Sequence, residues 1–426
     1  MPRPVLSPIL FVCVVGTNSL GSNLTAFGLA AWIFHITGSY DTMAMLGIIT
    51  PLTVILFAPI AGVAADRYEK RIILITADIF SILSITLSLV LYLYGLLSIS
   101  LIMVLSLCLS SCNEFRYTAS ASLIPTITEK GELLKVNSIQ QVFRGSSLVL
   151  GPLLGALGFN YLGLPWLLSA DVLTFFLSVS LLVIFAIIPA AYSRKPKIAQ
   201  TSLISEVRQA LLWLSTKPPL VALLFTYMLI NALLSIFMVA LSPYVLAVHS
   251  SMDLGLISSA IGVGMFLSGF LLSRVKKCIR PVIILVFSIF VLGLSFIAVG
   301  IAAFRESLWL LTPFVGASVA ALVSSNQTIW HSHTPPDIQG KIIALRSMVM
   351  YLMTPVSILI SAPLVSRLLT PIITQSHSAS ELWGEDLSGA LGLMISLMGA
   401  VLLVLGTFAL LSKKVGILAS DPDVGP

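Results

Sequence analysis

Charge is what this chain of 426 residues most lacks. Asp, Glu, Lys and Arg make up 9% of it against 58% hydrophobic residues, and the mean hydropathy is +1.06. An ordinary soluble domain carries about 25% charged residues, so a soluble globule is excluded. Histidine is scarce as well: His35, His249, His331, His333 and His377 all fall at the ends of apolar runs or between them. His331 and His333 are two positions apart, without the His-Glu-x-x-His spacing of a zinc hydrolase, and no Gly-Lys-Ser or Gly-Lys-Thr loop exists to cradle a nucleotide phosphate. ATP-driven chemistry within this chain and a polytopic enzyme with a metal cluster or an activated nucleophile are therefore disfavoured. Of the four cysteines, Cys13, Cys108 and Cys112 lie inside apolar runs and Cys278 in a basic loop, which is no disulfide framework. Cys108 and Cys112 share a helix face, but with no histidine near them in sequence they read as small packing residues rather than metal ligands.

What fills the chain is a series of long apolar runs. About 20 such residues are needed to cross a hydrocarbon core of roughly 30 Å as a helix. The runs predict twelve spans, at 6–36, 42–65, 72–93, 98–124, 138–164, 165–188, 220–247, 254–272, 281–304, 308–330, 342–369 and 387–411. They are continuously apolar, without the alternation of barrel strands, so the expected class is an all-α membrane protein. Arg3 and the small residues Gly28 to Ala31 could mark a cleaved signal, but the first run is too long for one and eleven more follow.

Basic residues orient these spans. With the N-terminus inside, the cytoplasmic segments carry every one of the 23 Lys and Arg except Arg305 and Arg367, which lie outside, and Arg116, which lies within span four. Both termini are thus expected in the cytoplasm. The net charge of +6 and the pI near 9.2 need no nucleic acid, because the charges are dispersed among loops facing anionic lipid.

Six spans precede and six follow the longest inter-span stretch. The chain is therefore read as an N-terminal six-helix bundle at 1–189, a cytoplasmic linker at 190–219 and a C-terminal six-helix bundle at 220–426. In the linker, Leu203, Ile204, Val207, Leu211 and Leu214 recur at helical spacing, as in an amphipathic helix on the inner surface. The halves also repeat. Gly62-x-x-x-Asp66-Arg67-x-x-Lys70-Arg71 follows span two, and Gly269-x-x-x-Ser273-Arg274-x-x-Lys277 follows span eight. Gly151-Pro152 in span five has a counterpart in Thr354-Pro355 of span eleven. Two related six-helix halves place a substrate path at their interface.

The loop from Gly62 to Arg71 resembles the signature loop of the major facilitator superfamily. Gly151-Pro152-Leu153-Leu154-Gly155-Ala156 resembles the Gly-Pro-x-x-Gly-Gly element of its antiporter branch. Within it the chain is most similar to proton-coupled drug exporters of the bacterial macrolide-efflux type, through Asn18-Ser19-Leu20-Gly21-Ser22, Thr37-Gly38-Ser39, Asp78, and Asp171 with Phe175-Phe176. Glu69 stands where that loop usually has Gly, Ser273 replaces the acidic residue of the second copy, and span one has no carboxylate of the kind some proton-coupled relatives use. The resemblance implies a gating loop of Gly62, Asp66, Arg67, Lys70 and Arg71. Asp66 would attract the positive end of span eleven, beginning near Lys341, and so hold the inner gate shut.

Ionisable groups inside spans are expensive, so each is a candidate for function. Asp78, Glu114, Arg116 and Arg144 lie at similar depth in spans three to five and are expected to form one charge network. A permanently neutralised structural cluster is the alternative for Asp78 with Arg116 or Arg144. Glu114 has no basic partner at helical spacing on its own span, which makes it the expected proton-coupling carboxyl. Polar stripes mark three helices: Asn18, Ser22, Thr25 and Trp32 on span one; Ser106, Ser110, Asn113, Tyr117 and Ser120 on span four; Tyr227, Asn231, Ser235, Met238 and Ser242 on span seven. They read either as helix glue or as the wall of a cavity fit for a large amphiphile. Ser147, Gly151 and Gly155 form a small-residue ladder expected to pack on span eight at Ser258, Gly262 and Gly269.

The expected function is export of an amphiphilic small molecule (a drug, siderophore or other natural product) by alternating access with proton antiport. A lipid or lysolipid flippase is the nearest alternative and a membrane enzyme a more distant one. The expectation includes no cofactor or metal, a proton gradient as energy source, a small-molecule substrate and bilayer lipid as partners, no nucleic acid, a monomer, and residence in a bacterial inner membrane.

Overall fold

A computed structural model of the chain describes residues 7–37, 40–184, 203–249, 251–274 and 280–411. They are almost wholly helical. The first half comprises α1 (Pro8–Thr37), α2 (Tyr40–Arg67), α3 (Lys70–Leu93), α4 (Ile99–Ile127), α5 (Leu133–Leu162) and α6 (Leu164–Ile184). Then come α7 (Leu203–Ser215), α8 (Pro218–Leu246), α9 (Ser251–Ser273), α10 (Pro281–Gly300), α11 (Leu308–His333) and α12 (Gln339–Pro363), followed by α13 (Thr370–Gln375), α14 (His377–Trp383) and α15 (Asp386–Leu411). Each of the twelve expected spans has its helix. Among the described residues, ten helices meet the length and apolarity needed to cross a membrane. α2 and α5 are not among those ten.

Local chemistry sets many of the ends. Gly95 and Gly163, with φ of 70° and 77°, terminate α3 and α5 in the left-handed conformation that a side chain disfavours. Ser98 caps α4 by accepting the Leu101 amide, and Pro218 and Pro219 open α8 where a missing amide hydrogen is harmless. Two boundaries differ from expectation. Span nine ends at Gly300 and continues as a 3-10 turn at Ala302–Ser307, while α12 gives way to a π-helical turn at Leu364–Leu369. The short α13 and α14 beyond it were not foreseen, since helices of six or seven residues leave no periodicity to read. Arg305 holds the end of α14: its Nη2 donates to the Trp383 carbonyl at 2.5 Å, and its guanidinium lies 5.6 Å from the Tyr244 ring.

The described chain forms two compact units, residues 1–216 with 331–348 and residues 217–330 with 349–426. The division after Thr216 falls inside the expected linker. Residues 331–348, assigned by sequence to the C-terminal bundle, cluster instead with the first unit, because the start of α12 is bonded to the end of α2. In the first unit, α1 packs on α5, α2 on α4 and α3 on α6. The second repeats that order: α8 bonds to α12, α9 meets α11 at Gly264 and Gly316, and α10 packs on α15. The repeated pairing is the three-dimensional form of the repeated loops.

In the small-residue ladder of α5, Gly151 and Gly155 pack against α1. A side chain at Gly155 would meet the Phe27 ring at 2.7 Å, and one at Gly151 would meet the Asn23 Cβ at 3.2 Å. α7 is the amphipathic helix expected in the linker, with Ala210 and Leu214 buried, Leu211 and Leu212 exposed, and its packing partner α2. Residues 190–202, the basic groups Arg3, Arg194, Lys195, Lys197, Lys276, Lys277, Lys413 and Lys414, the Thr37-Gly38-Ser39 element beyond Thr37, Cys278 and both termini lie outside the described residues.

Candidate functional site

Two constructions in the first unit gather the residues singled out by sequence. The first joins α2 to α12. Asp66, in the last turn of α2, accepts the Gly340 amide on Oδ1 at 2.7 Å and the Lys341 amide on Oδ2 at 2.9 Å. These amides belong to the first turn of α12, where they have no partner within the helix and the helix dipole is positive. Glycines permit the approach: a side chain at Gly340 would meet Asp66 Oδ1 and the Gly62 carbonyl, both at 2.7 Å, and one at Gly62 would run into Ala344. Burial raises the Asp66 carboxyl to about 6, against the lowering effect of the two amides and of Lys70 and Lys341.

Lys70 and Arg71 donate to main-chain carbonyls of neighbouring helices. Lys70 Nζ reaches the Ser122 carbonyl at 3.2 Å, and Arg71 reaches those of Leu182 and Val183 at 2.9 and 3.0 Å. The latter two belong to the open carbonyl end of α6, which favours a cation. Arg67 is half-buried beside Asp66. In the second copy, Ser273 donates to the Phe270 carbonyl and Arg274 stacks 4.1 Å from the Phe270 ring. With no carboxylate at position 273, that copy lacks the group that binds a helix end in the first.

The second construction is a buried charge cluster. Asp78 on α3, 1% exposed, has its Oδ1 at 3.6 Å from Nη1 of Arg116 on α4, and its Oδ2 accepts the Ser178 hydroxyl of α6 at 2.7 Å. Arg116 also donates through Nη2 to Asn113 Oδ1 at 2.7 Å, and its guanidinium sits over the Phe175 ring at 4.9 Å. Asp171 of α6 is equally buried, with Thr174 Oγ1 3.4 Å from its Oδ1. α1 comes so near at Gly21 that any side chain there would meet Asp171 and Thr174. Glu114 is buried on α4 and accepts a 3.3 Å bond from Thr118 one turn on; among the described residues no basic group pairs with it. Arg144 does not join the network: it is exposed on α5.

The polar stripes separate into exposed positions and positions spent on packing. Asn113 is exposed and Ser110 and Tyr117 half-buried on a membrane-spanning helix. Arg346 of α12 lies 3.5 Å from the Tyr117 hydroxyl. On α1, Asn18 and Thr25 are buried at 1% and 3% exposure, not set on an open wall. Ser22 and Trp32 are half-buried, Trp32 packing edge-on to Tyr92 at 6.1 Å. On α8, Asn231 donates to the Met350 carbonyl at 3.0 Å and Ser235 meets Thr354 at 3.3 Å, so both tie α8 to α12. Tyr227 is buried and Met238 exposed. Ser178 was missed by sequence, although its place two turns after Asp171 on one face of α6 was a usable signal. The Pro152 side chain lies outside what is described.

Comparison with known proteins agrees with this architecture. Residues 11–358 match the Major Facilitator Superfamily. Macrolide efflux protein A of Streptococcus pyogenes is 23% identical over 357 residues, 79% of this chain and 85% of that one. Among solved structures, a bacterial homologue of the iron transporter ferroportin in an outward-facing state aligns with a TM-score of 0.70 at 15% identity, over 97% of this chain and 100% of that one. A proton:xylose symporter aligns with a TM-score of 0.69 at 12% identity, over 96% and 95% of the two chains. The twelve spanning helices, the doubled six-helix pattern and the match over most of the length lead to one conclusion: this chain is a multi-pass membrane protein belonging to the major facilitator superfamily, with the fold of its secondary transporters.

Proposed function

We propose that the protein exports an amphiphilic small molecule, of the macrolide class or similar, from the bacterial cytoplasm in exchange for protons. The observation that carries this reading is the pairing of a releasable bond with buried proton acceptors in one unit. Asp66 holds the first turn of α12, and the carboxyls of Asp78, Glu114 and Asp171 lie within spanning helices. A latch of this kind closes the inner side while the outer side is open, and a carboxyl that changes its surroundings between the two states can carry a proton across. The exposed amide and hydroxyls of α4 suit a ligand with both polar and apolar surface. The kinship with a macrolide efflux protein points the same way. The distribution of Lys and Arg supports a cytoplasmic position for both termini and the linker.

The test uses purified protein in inverted proteoliposomes with an imposed proton gradient and radiolabelled erythromycin as probe. Gradient-dependent accumulation that collapses on adding a protonophore supports the reading. Transbilayer movement of a fluorescent lysolipid, without erythromycin uptake, would favour a flippase instead.

A further inference from the structure

We propose that Asp78, Arg116 and Asp171 form one charge unit that stores a single proton, and that Asp171 is the residue holding it in this structure. The unit joins two acids and one base from three helices, Asp78 on α3, Arg116 on α4 and Asp171 on α6, and all three are buried. Their side chains converge. Asp78 Oδ1 lies 3.6 Å from Arg116 Nη1, and the guanidinium sits 4.9 Å from the ring of Phe175, one turn after Asp171 on α6. Asp171 is within electrostatic reach of the same guanidinium.

Charge balance sets the number of protons. An ion buried in a membrane-spanning bundle is tolerated when an opposite charge compensates it, and one guanidinium compensates one carboxylate. With both acids ionised, the unit would carry a net negative charge away from water. With both protonated, Arg116 would be left without a counter-charge. One proton on two carboxyls is the balanced state. The other groups that face the unit do not alter this count: Cys112 of α4 is a thiol, neutral at physiological pH, and α1 presents Asn18 to Asp78 and Gly21 to Asp171. Glu114, two residues before Arg116, points to another side of α4 and bonds to Thr118.

The surroundings of the two acids decide which of them keeps the proton. Asp78 has the guanidinium beside it and accepts the Ser178 hydroxyl at 2.7 Å, a setting that stabilises a carboxylate. Asp171 has one long bond, 3.4 Å from Thr174 Oγ1, and that hydroxyl lies closer to the Asp171 main-chain carbonyl, at 2.8 Å. Little there stabilises a negative charge. Asp78 therefore carries the charge and Asp171 the proton. When Asp171 gives it up, the O–H bond breaks, the electron pair stays on the carboxylate oxygen, and the proton passes to water on the side to which the site is then open.

The proposal rests on the exporter reading only for its transport consequence, so its deciding arm needs no substrate. Protein labelled with carbon-13 at the aspartate side-chain carboxyl is studied by infrared spectroscopy in mildly acidic buffer, where exposed aspartates are ionised. Asp66, which titrates near 6, contributes equally to every sample. The unaltered protein should show a labelled band of protonated carboxyl that Asp171→Asn diminishes and Glu114→Gln leaves unchanged. Asp78→Asn should diminish it by the same amount, because Arg116 then takes Asp171 as its counter-ion. Arg116→Gln should increase it by that amount, because both acids then lose their cation. A labelled band equal in the unaltered protein and Asp171→Asn, or absent from both, overturns the proposal, and an undiminished band in Asp78→Asn overturns it as well. If Asp171→Asn does not fold, Asp171→Glu decides: its new carboxyl is unlabelled, so a labelled band of full size overturns the proposal. In the erythromycin assay, Asp171→Asn should keep binding and lose gradient-driven uptake. No erythromycin uptake by the unaltered protein would count against the proposed substrate, while the infrared arm still decides where the proton sits.

Discussion

Glu114 and Asp66 show how a single carboxyl acquires a role from its surroundings. Glu114 accepts one bond from a threonine on its own helix and has no cation beside it among the described residues, so nothing in its immediate setting requires it to stay ionised. Replacing it by Gln should preserve erythromycin binding and abolish the dependence of uptake on the proton gradient. Unchanged gradient-driven uptake in that variant would remove Glu114 from the coupling step. Asp66 titrates near 6 when it holds α12, above the value of about 4 for an aspartate in water. Closing the latch therefore takes up protons: the advantage is fully present below the lower of these values and is lost as pH rises through the higher. Spin labels at Tyr68→Cys and Pro336→Cys, both exposed positions, should report a larger short-distance population at about pH 5 than at about pH 8. Asp66→Asn should remove that dependence and cut efflux while leaving membrane insertion intact. What sequence could read at this scale was uneven. Asp66 was legible because an acid adds nothing to a positive-inside loop and so asks for another reason. The burial of Asn18 was not, because an amide on a polar helix stripe looks the same whether it lines a cavity or is buried between packed helices.

Helix ends and contact faces separate in the same way. The twelve spans were readable because bilayer thickness imposes their length, and the linker helix because its apolar residues recur with the helical period. Partner choice was hidden. The glycines of α5 announced a close approach but not that α1 was the helix approaching, since spacing describes one surface and contact needs two. The structure makes this testable. Gly155→Ala would drive a methyl into the Phe27 ring at 2.7 Å, whereas the same change at Gly151 meets only the Asn23 Cβ at 3.2 Å. Gly155→Ala should lower stability by about 1–3 kcal/mol, as overpacking commonly does, and Gly151→Ala by clearly less. The midpoint of thermal unfolding in detergent measures the difference, and equal midpoints would refute the packing assignment.

At the scale of the whole chain, duplication is the organising fact: the order of helix pairing in the first unit recurs in the second, although the second loop has lost its acid at Ser273. The repeat was visible in two short sequence motifs, and the contact of Asp66 with the start of α12 was expected through the family resemblance, since main-chain amides carry no mark in the sequence. Reporter fusions placed within 190–202 and after Leu411 should be active only with cytoplasmic reporters; activity of a periplasmic reporter at either site would reverse the orientation. The main-chain nature of the latch has a consequence of its own. One side of it is a mutable acid, and the other is a pair of peptide groups that nearly every residue supplies. Selection, or a resistance screen, can therefore break the contact at Asp66 by many single changes, but on the α12 side chiefly by crowding Gly340 or by deleting a donor. Lys341→Ala should leave the spin-label distances as they are, and Lys341→Pro, which removes the amide hydrogen, should release them. The machinery is exposed to inherited failure on one side and buffered on the other.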